Sequence, residues 1–133
     1  NIIPNETWAP DYVAQLMPQF EGKISGIAMN VPVANGSCID LTTEMTKMPT
    51  IEDVNQSFQK SSTSDLAGLV RYTEDPIVSS DAIGGGETML FDSKATMIAS
   101  EKLLKTVAWF DNGWGFASRI LELAESYTQL ERA

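Results

Sequence analysis

The sequence contains no histidine and one cysteine, Cys38. A single thiol excludes a disulfide framework, and without imidazole the nitrogen and sulfur ligand sets of ordinary zinc sites cannot be assembled, so no metal site is expected. Basic side chains are scarce: nine Lys and Arg stand against eighteen Asp and Glu, a formal charge of -9. The averaged field of such a chain repels phosphate backbones and anionic membrane surfaces, so neither nucleic acid nor membrane is an expected partner. No apolar run approaches the roughly 20 residues of a membrane-spanning helix, and no basic-then-apolar leader is present. The cysteine usage fits a reducing compartment, with cytoplasm the expected location. The first residue is Asn1 rather than Met, and Asn1-Ile2-Ile3-Pro4 begins without lead-in, so the sequence reads as a piece of a longer chain.

What is present is ordinary globular material. A chain of 133 residues that is 43% apolar and 20% charged is expected to fold as one domain spanning residues 1–133. Residues 1–8 read as a connecting loop, followed by a short helix from Ala9 to about Met17, where Tyr12, Val13, Leu16 and Met17 follow helical spacing. Ile27, Met29 and Val31 alternate with polar or small residues as a strand does. Beyond the turn at Ala34-Asn35-Gly36 a second alternating run carries Ile39, Leu41 and Met45, and the two runs read as a hairpin. Thr50 and Asp53 have the spacing of an N-cap before a helix from Ile51 to Ser61. Strands are expected at Ala67–Tyr72 and Ile77–Ser80, and Thr88–Ile98 reads as two strands with a bend. Leu103–Phe110, apolar on both faces, suits a central strand covered on both sides. From Gly113 to about Arg132, Phe116, Ile120, Leu123, Tyr127 and Leu130 step by four and three, the spacing of a long helix with one buried stripe. The expected class is α+β, with a mixed, largely antiparallel sheet, helices on one face and a long C-terminal helix.

Several segments in order resemble the C-terminal domain of the glyceraldehyde-3-phosphate dehydrogenase family, erythrose-4-phosphate dehydrogenases included. They are Asn1-Ile2-Ile3-Pro4, Gly22-Lys23-Ile24-Ser25-Gly26 through Val31-Pro32-Val33, and Ile39-Asp40-Leu41-Thr42. Further on come Tyr72-Thr73-Glu74-Asp75 with Val78-Ser79-Ser80-Asp81, and Trp109-Phe110-Asp111-Asn112 with Trp114-Gly115-Phe116. The resemblance implies an NAD-dependent oxidoreductase, NADP being the alternative cofactor, whose Rossmann turn, nucleophilic cysteine and partner histidine all precede the segment matching Asn1. None of them is in this sequence. Cys38 stands where that family usually has an aliphatic residue, and Gly84-Gly85-Gly86 lacks the strand-to-helix context of a dinucleotide site. No catalytic residue is therefore expected here, and no cofactor bound to this piece alone.

The same resemblance assigns candidate binding residues. Asn112 matches the asparagine that hydrogen-bonds the nicotinamide carboxamide, a task for a planar amide carrying both donor and acceptor; its structural alternative is a cap on the last helix, a role Asp111 serves equally well. Phe116 stands where a tyrosine is common, keeping the ring beside the cofactor and losing the hydroxyl. Thr7 matches a threonine of a phosphate site and Asn30 replaces the arginine of the phosphate pocket, while Trp8 and Asp11 stand where glycine and lysine are common and Gly113 replaces an acidic residue. Asp40, Thr42 and Glu44 share a strand face that reads as solvated. Partners implied are the missing nucleotide-binding domain and further copies of the chain packed through the sheet face, forming a homo-oligomer. Two functions follow: the substrate domain of a phosphorylating aldehyde dehydrogenase, inactive in isolation, or a degenerate member kept as an oligomerisation or binding module.

Overall fold

The computed structural model describes residues 1–130, which divide into two compact units, the first Asn1–Ala34 and the second from Asn35 onward. In the first, strand β1 (Ile3–Asn5) pairs antiparallel with β2 (Ala28–Asn30), and helix α1 (Ala9–Leu16) lies between them in sequence. The stretch read as a loop thus holds a short strand, and β2 has its partner upstream. The expected hairpin does not form. Its second half is β3 (Ser37–Glu44), which pairs instead with β6 (Leu103–Phe110) over its whole length. A turn such as Asn35-Gly36 signals a reversal of the chain without naming the strand that will receive it.

The second unit is built on a four-stranded sheet of order β3-β6-β5-β4, where β4 is Val70–Thr73 and β5 is Met89–Ile98. Three of its strands run antiparallel and β4 pairs parallel with β5, so the sheet is mixed and largely antiparallel and the class is α+β. Helix α2 (Ile51–Ser62) begins where the sequence places it: Thr50 accepts from the Asp53 amide while the Asp53 carboxylate accepts from the Thr50 amide. It packs on β4 and β5. Val54 joins Val70, Phe91 and Leu104 in the core, and Phe58 stacks on Phe91 with ring centroids 3.8 Å apart. Phe91 is 1% exposed. The segment 77–80 is not a strand; Ser79–Ala82 forms a 3-10 turn because the Asp81 carboxylate accepts from the Val78 amide and closes the backbone on itself.

The two strands expected within Thr88–Ile98 are one strand, β5, with an irregularity. Its pairing with β6 jumps from Asp92 opposite Val107 to Met97 opposite Lys105, so Ser93 to Thr96 stand against Thr106 alone. Such a bulge leaves polar groups without ladder partners, and the surroundings supply them. Asp92 accepts from the Lys94 and Ala95 amides and from the Trp109 indole N–H at 3.1 Å. Asn55 of α2 donates to the Ser93 carbonyl and accepts from the Thr96 hydroxyl at 2.8 Å, and the Ser93 hydroxyl donates to the Thr73 carbonyl. The bulge is therefore a polar joint between helix and sheet.

Helix α3 (Asn112–Leu130) departs most from expectation. Its C-terminal bound at about Arg132 falls outside the described residues. Gly115 is its one buried residue: a Cβ there would meet the Glu87 carbonyl oxygen at 3.0 Å, so glycine lets the first turn lie against the chain before β5. Arg119, one turn on, donates to the Thr88 hydroxyl at 2.9 Å and to the Gly86 carbonyl. Beyond Arg119 every described residue is exposed, Tyr127 and Leu130 included. The apolar stripe exists in the sequence but meets no surface of this unit.

The start of α3 is fixed by Asp111, 6% exposed at the end of β6. Its Oδ1 accepts from the Trp114 amide at 3.0 Å as an N-cap does. Oδ2 accepts from the Gly84 amide at 3.0 Å and from the Asn35 side-chain amide at 3.1 Å. The Gly84 and Trp114 amides hold the carboxyl below its ordinary range, with Asn35 adding to the effect.

Two outcomes follow. Asn55→Ala leaves the Thr96 hydroxyl without its acceptor and the Ser93 carbonyl without its donor, and should lower unfolding stability by about 1–3 kcal/mol in urea titration. For Asp111 the folded pKa lies below the unfolded value of about 3.9, so its contribution is complete above about pH 4 and lost as pH falls through the depressed folded value. The gap in thermal midpoint between wild type and Asp111→Asn should thus stay level near neutrality and close as the pH drops below about 4.

Candidate functional site

The cap at Asp111 leaves Asn112 without a structural task at the head of α3. With the first-turn amides served by the carboxylate, Asn112, the first residue of α3, has no capping task, and among the described residues its side-chain amide makes no hydrogen bond. It is exposed at the lip of a cavity of about 250 Å³. Ile39 from β3, Phe110 at the end of β6, and Phe116 and Gly115 from α3 give this cavity apolar walls, while Asp111 and Arg119 bring charge to it. Phe116 is 67% exposed, a ring presented to solvent rather than to the core. Residues 112, 116 and 119 lie on one face of a helix because they are separated by four and three positions.

The chemistry of this wall is specific in kind. A free planar amide offers one donor pair and one acceptor, matching another amide edge to edge, and flat apolar side chains beside it suit a planar ring. Asn112 and Phe116, the residues assigned to cofactor binding from sequence, are thus brought together in one cavity. Arg119 was missed, although its position seven residues after Asn112 puts it on the same helical face.

Thr7 and Asn30 are not brought together. Thr7 lines a separate cavity of about 240 Å³ in the first unit with Glu6, Trp8, Asp11 and Gly26, whereas Asn30 sits opposite Ile3 at the far end of the β1–β2 pair and is not among the lining residues. The Thr7 hydroxyl accepts from the Ala9 amide at 3.2 Å, serving the start of α1. Glu6 and Asp11 place two carboxylates around the cavity. Lys23 is the one Lys or Arg among residues 1–34, and its ammonium donates to the Gln19 carbonyl at 2.9 Å. This is a poor setting for an anion.

Cys38 lies on β3 opposite Trp109. Desolvation, then the carboxylates of Asp40 and Asp92, push its thiol up, with Lys105 pulling the other way, the opposite of what an activated nucleophile needs. Asp40 is engaged by the Lys105 ammonium at 2.7 Å, and no group of His, Cys, Asp or Glu able to hold a metal occurs among the described residues. Nor is any described helix long and apolar enough to cross a membrane.

Comparison with known proteins gives this geometry a context. The family model for the glyceraldehyde 3-phosphate dehydrogenase C-terminal domain matches residues 1–112, running through both units. A glyceraldehyde-3-phosphate dehydrogenase 2 of Streptomyces avermitilis is 43% identical over 123 residues, 92% of this chain and 37% of its own length. The glyceraldehyde-3-phosphate dehydrogenase of Neurospora crassa is 39% identical over 131 residues, 98% of this chain and 39% of its own. A cytosolic glyceraldehyde-3-phosphate dehydrogenase of Arabidopsis thaliana is 37% identical over 123 residues, covering 92% and 36%. The chain therefore spans well under half the length of these relatives. With a family match over 112 of its 133 residues and identities of this size across nearly all of it, the chain belongs to the glyceraldehyde-3-phosphate dehydrogenase family, as its C-terminal domain.

Proposed function

We propose that this chain is the substrate-side domain of an NAD-dependent aldehyde oxidoreductase, with NADP the alternative cofactor, and that it does not catalyse alone. The observation that carries the reading is the uncommitted amide of Asn112 beside the exposed ring of Phe116. Asn112 would hold the carboxamide of the cofactor and Phe116 would flank its ring. When bound, the nicotinamide supplies the hydride acceptor. The thiolate and the dinucleotide cradle come from polypeptide outside these residues, a reading supported by the absence of histidine, the raised thiol of Cys38 and the share of its relatives that the chain spans.

That missing half is the proposed partner. Helix α3 carries Ile120, Leu123, Tyr127 and Leu130 into solvent, an apolar stripe suited to a groove of the nucleotide-binding domain. Ile39 and Leu41 on the edge strand β3 are likewise exposed and suit contact with another copy of the chain. The cytoplasm is the proposed location.

The charge around Thr7 favours a second reading, a member kept for binding or assembly, because glyceraldehyde 3-phosphate presents a dianion to two carboxylates. Turnover separates the two. The complete gene product should reduce NAD with glyceraldehyde 3-phosphate or erythrose 4-phosphate; no reduction with either would refute the oxidoreductase reading and leave the module. Asn112→Ala in that protein should raise KM for NAD about tenfold, the loss of two hydrogen bonds, and an unchanged KM would remove Asn112 from the site. Asp11→Lys exchanges a carboxylate for a cation beside Thr7. It should tighten inorganic phosphate binding by about tenfold or more, read by titration calorimetry.

A further inference from the structure

An N-cap needs one acceptor oxygen, and serine or threonine supplies it as well as aspartate does. Asp111 has a second oxygen, and both of that oxygen's partners come from elsewhere in the chain: Gly84 from the glycine-rich segment before β5, and Asn35 from the turn before β3. Asn35 is itself oriented, because its Oδ1 accepts from the Gly36 amide at 2.8 Å and so turns its Nδ2 toward the carboxylate. Gly36, at φ +90°, approaches the Ser79 carbonyl so closely that a Cβ would collide with it. The turn before β3, the glycine-rich segment after the 3-10 turn and the start of α3 therefore meet at one buried side chain.

All three donors, the Trp114 amide, the Gly84 amide and the Asn35 NH₂, demand an acceptor. An ionised carboxylate is acceptor-only at both oxygens, whereas an asparagine would keep the cap and turn an NH₂ toward two other N–H groups. Asn112 follows directly in the chain. Its Cα is held between a carboxylate pinned from three directions and the first turn of α3, leaving only its own side-chain torsions free.

We propose that Asp111 is a positioning residue: by tying Gly84 and Asn35 to the head of α3, it sets the Asn112 amide at the cavity wall formed by Ile39, Phe110 and Phe116. This rests on the reading of Asn112 as the ligand of the nicotinamide carboxamide. Both Asp111 oxygens are taken up by donors of the chain itself, so its effect passes through its neighbour. A purely structural Asp111 would change stability alone, whereas a positioning Asp111 changes cofactor affinity only while Asn112 is there to be positioned.

The test is a double-mutant cycle on the complete gene product, with the dissociation constant of NAD measured by calorimetry at a temperature where each variant is folded. Asp111→Asn and Asn112→Ala should each weaken NAD by about tenfold, and the double variant should bind no more weakly than Asn112→Ala alone. Asn35→Ala, which removes one donor 76 residues away in sequence, should weaken NAD several-fold and lose that effect in the Asn112→Ala background. It serves where Asp111→Asn does not fold. Unchanged affinity in Asp111→Asn and Asn35→Ala, or penalties that add to that of Asn112→Ala, would overturn the inference while leaving Asn112 in place. Unchanged affinity in Asn112→Ala would overturn the reading beneath it.

Discussion

A carboxylate that must satisfy three N–H donors from three parts of a chain can be placed in very few ways, and Asp111 is so placed. Burial raises the cost of leaving any one donor unmatched, because a buried polar group without a partner forfeits the hydrogen bonds water would have given it. The end of β6, the head of α3 and the turn leading to β3 are held to one geometry as a result. The cavity at Asn112 inherits its shape from that junction, since Ile39, Phe110 and Phe116 are each within a few residues of one of its arms. Midway along β6 the bulge in β5 is settled by the same rule, with Asn55 and Asp92 taking up the donors and acceptors that the ladder leaves over.

The sequence was most readable where one short segment contains its own explanation. The Thr50 and Asp53 box, the apolar run of β6 and the helical spacing of α3 all encode their structure within a turn or a strand, and α2, β6 and α3 lie where that spacing puts them. Strand pairing is not local. The Asn35-Gly36 turn is real, but β3 pairs with a strand more than sixty residues on, and no feature of residues 27–45 distinguishes that outcome from a hairpin. The apolar stripe of α3 shows the converse limit. Periodicity reveals that a face is apolar, and not whether the surface that covers it belongs to the same unit.

The candidate site divides along the same line. Asn112 and Phe116 were legible from a motif, and Arg119 was within reach because its spacing from both places it on their helical face. Asn35 and Gly84 were out of reach: nothing in their neighbours points to a carboxylate far along the chain. The residues around Thr7 illustrate how a match in sequence can outlast a match in chemistry. Thr7 was read as a phosphate ligand from the resemblance, yet its hydroxyl serves the start of α1, and the charge about it has the sign that disfavours an anion.

The junction depends on Asp111 being an ionised, threefold-acceptor carboxylate in the folded chain. Following its side-chain carboxyl carbon by NMR through an acid titration reads that state directly. Titration below the ordinary aspartate range, with the Gly84 and Trp114 amide signals shifting at the same midpoint, is the predicted result. A midpoint at or above the ordinary value, with those two amides unmoved, would mean that the junction is not held by this carboxylate.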